Sequence, residues 1–393
     1  MIRTRVAVFV AALLTLSATA TAGASAAADT EPVRFTLPKP SGPYKIGTVS
    51  LHLVDESRTD PWVGAPQKRE LMVSLWYPAR DVRRRPLAPW MPRAAADRYL
   101  GSLGLAPGSV TFGQTSGHEG APVDRRLGRL PVVLYSPGAN ASRSFGTGVV
   151  EDLAGHGYAV VTIDHTYDAA VVEFPGGRVT VNPDGELTDF DKAAKVRADD
   201  ARFVLNQLAA LQAGGNPDAD RKKLPTGLRG ALDLRRIGMF GHSLGGAATS
   251  SAMYADQRIK AGMGLDGAAL GPVVDGGLNR PYLVVDTPGK GGMATNPQLR
   301  KFWSNLRGWR LNLTLNGAAH NSFGDDALIL PLVAPLLKLS SQELRELVGT
   351  IPAARALAFQ RAYPRAFFDL HLRHRGHLLD GPSRRFPEVR HTR

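Results

Sequence analysis

The chain has 393 residues, 43% of them apolar, enough to bury one large α/β core or two smaller ones. It contains no cysteine, which excludes disulfides, a thiol nucleophile and a Cys-ligated metal. Its formal net charge is +13. The arginines and lysines are scattered, however, without the interleaved aromatics of a nucleic-acid reader. A solvated basic surface follows, with at most a mild attraction to anionic lipid or cell-wall polymer and no nucleic-acid partner.

Residues 1–28 read as an export signal. Arg3 and Arg5 precede an apolar run over 6–16, and Ala24-Ser25-Ala26 or Ala26-Ala27-Ala28 offers a small-residue cleavage site. The run is too short to span a bilayer. The remainder, 29–393, is expected to form one domain and to work outside the cell.

Residues 29–45 are an extended lead-in. Residues 46–54 and 71–77 are expected to be an antiparallel pair of strands, the second on the alternation of Val73, Leu75 and Tyr77 with Ser74 and Trp76. Residues 78–129 read as an irregular insert near the active site, with a short helix over 94–100. The apolar run 130–135 is a buried parallel strand. It leads into Ser136-Pro137-Gly138-Ala139-Asn140, a small-residue loop whose Ala139 N–H is placed to donate to an oxyanion. A helix over 145–157, a β-branched strand over 158–164 and a long helix over 191–213 follow.

Residues 237–246 run Ile-Gly-Met-Phe-Gly-His-Ser-Leu-Gly-Gly. An apolar strand ending in Gly-x-Ser-x-Gly before a helix-competent segment is a nucleophile elbow in pattern. Gly241 and Gly245 allow the tight turn, Ser243 stands exposed on it, and the Leu244 N–H opens the helix facing a developing oxyanion. Three more strands are expected: 259–265 ending at Asp266, 281–285 ending at Asp286, and 309–315 leading to His320. An apolar stretch over 327–339 is helical, kinked or split at Pro331 and Pro335. Together these give an α/β fold: an open, mostly parallel central sheet with helices on both faces, its ligand at the carboxyl ends of the strands.

A serine hydroxyl needs a base to take its proton, and the base needs an acid to orient it. His320 alone follows a late strand after Ser243. His165 ends a strand but precedes the serine in sequence, and His242 on the turn is expected to point elsewhere. Asp266 and Asp286 both end strands after the elbow, so the residues alone leave the acid open between them. Asp325 and Asp326 are expected to cap the helix behind His320. His371, His374 and His377 recur every third residue, but with Arg373 and Arg375 between them they read as a solvated basic helix within a C-terminal extension over 352–393.

Taken together, Gly42-Pro43-Tyr44-Lys45-Ile46-Gly47, Tyr135-Ser136-Pro137-Gly138, Leu153-Ala154-Gly155-His156-Gly157-Tyr158, Gly241 to Ala247, Leu265-Asp266-Gly267-Ala268 and His320-Asn321-Ser322-Phe323-Gly324-Asp325 resemble the plasma-type platelet-activating factor acetylhydrolases, the lipoprotein-associated phospholipases, and their bacterial relatives. The resemblance implies an α/β-hydrolase fold and assigns the acid to Asp266. It also implies a serine esterase, free of metal and cofactor, that acts on short-acyl or oxidised phospholipids and can touch lipid surfaces peripherally. Pro137 departs from the family's frequent histidine and matches secreted actinobacterial lipases and polyester hydrolases, which form the alternative enzyme class. A non-catalytic binding protein of the same fold is the alternative outside enzymes.

Overall fold

The computed structural model describes residues 31–392 apart from 184, 186 and 290, so the export signal read over 1–28 lies outside the described residues. Within them, eleven strands form one sheet. In chain order these are β1 (Lys45–Thr59), β2 (Lys68–Ala79), β3 (Leu87–Pro89), β4 (Gln114–Glu119), β5 (Leu130–Ser136), β6 (Ala159–Asp164), β7 (Leu232–His242), β8 (Ile259–Leu265), β9 (Tyr282–Asp286), β10 (Arg310–Leu315) and β11 (Val389–Thr392). Their spatial order is β11-β10-β9-β8-β7-β5-β6-β2-β1-β4-β3. The stretch from β6 through β10 is parallel, and β2 joins β6 antiparallel as the return arm of the β1–β2 pair.

Register places the functional ends side by side. Gly241 on β7 pairs with Ser136 on β5 and with Gly264 on β8, and Leu265 on β8 pairs with Val285 on β9. The residues that follow these strands therefore converge at one carboxyl edge.

The central strands are apolar on both faces because helices cover both. On one face α3 (Phe190–Gln212) and α4 (Leu244–Ala255) pack over Leu134, Val161, Met239 and Ile259. On the other, α2 (Thr147–Gly155) and a helix over Ala353–Arg373 pack over Val133, Val160, Phe240 and Met263.

Three expectations change. The insert over 78–129 carries the expected helix, α1 (Arg93–Ser102), but is more regular than expected: β3 and β4 extend the sheet, and Val110–Phe112 pairs in parallel with Val33–Phe35. The three histidines do not stand on one solvated helix: the helix over Ala353–Arg373 carries only His371 of them and buries Phe359, Tyr363, Phe367 and Phe368 in the core. Its turns end at Arg373, with His374 in the left-handed region. His371 packs on Trp309 and Phe367, while His374 and His377 lie outside in solvent, so the three histidines share no face. Lastly, the helix after His320 runs Asp326–Val333 with Pro331 inside it and stops short of Pro335. Asp325 stands at its N-cap position but does not cap it. Its carboxyl instead accepts from Trp90 Nε1 at 2.8 Å and from the Gly148 N–H at 3.0 Å, which ties the insert to the segment that carries His320.

Candidate active site

The elbow is built from glycines that tolerate no side chain. A Cβ on Gly241 would stand 2.2 Å from the Gly245 carbonyl oxygen, and one on Gly245 would stand 2.0 Å from the Ser136 carbonyl oxygen. With β7, α4 and the loop after β5 packed this closely, the chain must reverse at a single residue. Ser243 takes that turn at φ +54° and ψ −121°, a conformation a side chain adopts only when its surroundings impose it. Its N–H is held by the Leu265 carbonyl at 2.9 Å, and its side chain does not cap α4. The Ser243 hydroxyl is thereby left free for His320.

His320 Nε2 lies 2.9 Å from Ser243 Oγ, and His320 Nδ1 lies 2.6 Å from Asp266 Oδ2. The carboxylate is acceptor-only, so Nδ1 carries the proton and Nε2 is left to accept from the serine hydroxyl. Asp266 also has positive φ, +46°, and its second oxygen accepts from the Thr287 N–H and hydroxyl at 3.2 and 3.3 Å. Asp286 is not at this position. Its Oδ2 accepts from the Met293 N–H at 2.9 Å, which turns the side chain toward the loop after β9. The structure thus brings Ser243, His320 and Asp266 into one hydrogen-bonded chain and leaves Asp286 outside it.

His242 points away from the Ser243 hydroxyl, as its place on the turn suggested, but it stays beside the site. It is buried, its ring centroid is 4.7 Å from that of His320, and its Nε2–H donates to the His320 carbonyl at 2.9 Å. Burial, reinforced by the neighbouring His320, pushes its pKa down to about 3, so it serves as a neutral strut under the His320 backbone.

The two residues expected to supply backbone donors, Leu244 and Ala139, stand beside the elbow. Leu244 is the first residue of α4, whose leading N–H groups have no partner within the helix. Gly138 lies against the elbow: a Cβ there would be 3.3 Å from His242 Nδ1 and 3.6 Å from Ser243 Cβ. Ala139 follows it, and its side chain packs in one apolar cluster with Leu244 and Ala247.

Beneath the donor loop lies a buried polar assembly that the sequence did not reveal. Ser136 Oγ is 2.9 Å from His165 Nε2, and His165 Nδ1 is 2.9 Å from Asp200 Oδ2. Arg69 holds Asp200 through both oxygens at 3.0 and 2.6 Å. Arg197 pairs with Asp168 and reaches the loop carbonyls. The one signal for these residues was the strand ending at Asp164-His165; Arg197 and Asp200 are ordinary charges on a helix until the fold brings them inward.

A strained serine on a strand-to-helix turn, joined to a histidine and a carboxylate in chain order Ser, Asp, His at the edge of an open parallel sheet, defines a serine hydrolase of the α/β-hydrolase fold. The chain belongs to a particular branch of that class: residues 30–363 match the family described as platelet-activating factor acetylhydrolase, isoform II. A protein of the fungus Arthroderma benhamiae, named as a probable 1-alkyl-2-acetylglycerophosphocholine esterase, is 32% identical over 93% of this chain and 95% of its own. The platelet-activating factor acetylhydrolase of Cavia porcellus is 22% identical over 84% of this chain and 78% of its own. Among solved structures, a ferulic acid esterase from Streptomyces cinnamoneus superposes with a TM-score of 0.78 at 35% identity, covering 93% of this chain and all of that one. The family read from the residues is therefore the family found.

Proposed function

We propose that the protein hydrolyses carboxylic esters of short-acyl phospholipids of the platelet-activating factor type through a Ser243–His320–Asp266 triad. The observation that carries this reading is the unbroken hydrogen-bonded chain from Ser243 Oγ through His320 to Asp266, in a member of this family. Ser243 Oγ attacks the ester carbonyl carbon as its proton passes to His320 Nε2. The carbonyl oxygen becomes an oxyanion between the N–H groups of Ala139 and Leu244. The intermediate collapses, the C–O bond to the alcohol breaks, and His320 returns the proton to the departing oxygen. Water, deprotonated by His320, then attacks the acyl-enzyme and releases the acid and Ser243.

A second reading is favoured by one observation: the solved relative at 35% identity is named for ferulic acid esters, not phospholipids. A substrate panel separates the two. A phosphatidylcholine with an acetyl sn-2 chain, one with a palmitoyl chain, a feruloyl ester and a soluble polyester are compared by kcat/KM. The acetyl phospholipid is expected to be the best substrate; a feruloyl ester cleaved faster would replace the phospholipid reading. A fluorophosphonate that fails to label Ser243 would instead favour a binding protein.

Two further expectations belong to this proposal. Residues 1–28 direct export, to be tested by N-terminal sequencing of protein recovered from the medium. Lipid surfaces are met at the helix Asp326–Val333, where Leu332 is exposed close behind His320. Flotation of the protein with phosphatidylcholine vesicles, compared with Leu332→Asp, measures that contact.

A further inference from the structure

The loop that carries the Ala139 N–H is anchored by one fully buried side chain, Arg197 of α3. Arg197 Nη2 donates to the Gly138 carbonyl at 3.0 Å, and Nη1 donates to the Pro137 carbonyl. Asp168 holds the same guanidinium from its other edge, accepting from Nε at 2.6 Å and from Nη2 at 2.5 Å. A planar fork gripped bidentately by a carboxylate cannot turn without breaking that pair, so the two carbonyls it touches are fixed in direction.

Those carbonyls determine where the donors point. The Gly138 C=O and the Ala139 N–H belong to one peptide unit, which is planar and trans, so the two bonds point in opposite directions. Fixing the carbonyl on Arg197 turns the Ala139 N–H away from α3. The Pro137 carbonyl does the same for the Gly138 N–H. A cation on the carbonyl end also polarises the peptide, strengthening the N–H at its other end.

We propose that Arg197 is a positioning residue for hydrolysis: held by Asp168, it aims and polarises the Ala139 N–H at the oxyanion. It acts through the backbone and touches no substrate atom. The inference rests on the reading of Ala139 as an oxyanion donor and Ser243 as the nucleophile. It adds to that reading a specific cause for the loop's orientation where Pro137, Gly138 and Ala139 have no side chain able to impose one.

The test uses Arg197→Lys, and Arg197→Gln combined with Asp168→Asn so that no charge is left buried alone. Lysine keeps the cation but cannot reproduce the fork. Both proteins are assayed for kcat, KM and the pH profile of kcat/KM on a short-chain p-nitrophenyl ester, for the rate of Ser243 labelling by a fluorophosphonate, and for thermal unfolding. The expected result is a fall in kcat on the order of 10- to 100-fold in the double variant and less in Arg197→Lys, KM within about threefold, and parallel slowing of labelling. The pH midpoint stays put, because the His320–Asp266 pair is untouched; a merely structural loss would instead lower the fraction of labelled protein and leave kcat per labelled site unchanged. Either folded variant turning over within about twofold of wild type per labelled site overturns the proposal, as does a rise in KM with kcat intact. Should the double variant not fold, Arg197→Lys decides alone. Ser243→Ala in the same assay separates the layers: an active Ser243→Ala removes the underlying reading, whereas an inactive one beside fully active Arg197 variants overturns only the role of Arg197.

Discussion

Among the described residues, two hydrogen-bonded sets are built from the same three residue types with nearly the same spacing. Ser243, His320 and Asp266 are linked at 2.9 and 2.6 Å; Ser136, His165 and Asp200 are linked at 2.9 and 2.9 Å. They differ in surroundings. The His320 side chain is 50% exposed, whereas that of His165 is 1% exposed. Ser243 sits at φ +54° on a turn, while Ser136 is the last residue of an ordinary strand. Asp200 is clamped by Arg69, and although burial opposes its ionisation, the Arg69 charge holds its carboxyl well below the usual range. The constellation alone is therefore not the mark of a nucleophile. Access for the substrate and a strained backbone that presents the hydroxyl are what separate the two.

The widest separation is expected at the serines. Ser243→Ala should lower kcat on a p-nitrophenyl ester by a factor on the order of 10⁴ or more, since the residual rate comes only from binding and the oxyanion donors. Ser136→Ala should leave kcat within a few-fold and cost about 1–3 kcal/mol of stability, because it strands the buried acceptor of His165. Comparable kinetic losses at both serines would erase the distinction.

The acids sharpen it next. Asp266→Asn should reduce kcat by roughly 10³- to 10⁴-fold with little change in unfolding, as the histidine loses the partner that sets its tautomer. Asp200→Asn should do the reverse: about 3–5 kcal/mol lost in denaturant unfolding, from leaving Arg69 without its main partner, and near-normal kcat per fluorophosphonate-titrated site. Asp286→Asn belongs with neither and should change kcat no more than a few-fold. A larger loss there than at Asp266 would transfer the acid's role.

These pairs also show what could be read from the chain before folding. The parallel strands were legible because β-branched runs such as 159–164 have no other stable place than a sheet covered on both faces. Ser243 and His320 were legible because the elbow's glycines and the order of elements leave few alternatives. Asp266 and Asp286 were not separable by that rule, since both end strands; only the turn at Asp266, with its positive φ, swings one carboxylate toward His320. Strand β3 escaped notice because three residues ending in proline carry no periodicity, and its pairing is nonlocal. The histidines near 371–377 carry no sign of the core helix that ends at Arg373; its signal is Phe359, Tyr363 and Phe367, four residues apart along the buried stripe. The buried Ser136–His165–Asp200 set lay on three separate elements, and no spacing rule links residues that distant.

The finest distinction is in pH. Burial first, and the Arg197 charge second, push the His165 pKa below its ordinary value against the pull of Asp200. Folded His165 therefore stays neutral where the unfolded chain takes up a proton, near pH 6.5. More protons on the unfolded state mean that stability rises with pH. The contribution of His165 is complete above pH 6.5 and is lost as pH falls toward its folded pKa, at up to about 1.4 kcal/mol per pH unit. His165→Asn removes the titration while an amide can still donate to Asp200 and accept from Ser136. Denaturant unfolding between pH 6.5 and 5 should then give a gentler slope for His165→Asn than for wild type. His242, pushed down to about 3, and Asp325, pushed up to about 8 by burial, titrate in both proteins and cancel in the difference. Equal slopes would mean that His165 is charged in the fold, in which case its Nε2 could not accept from Ser136 and the buried chain would be a different arrangement of protons from the open one.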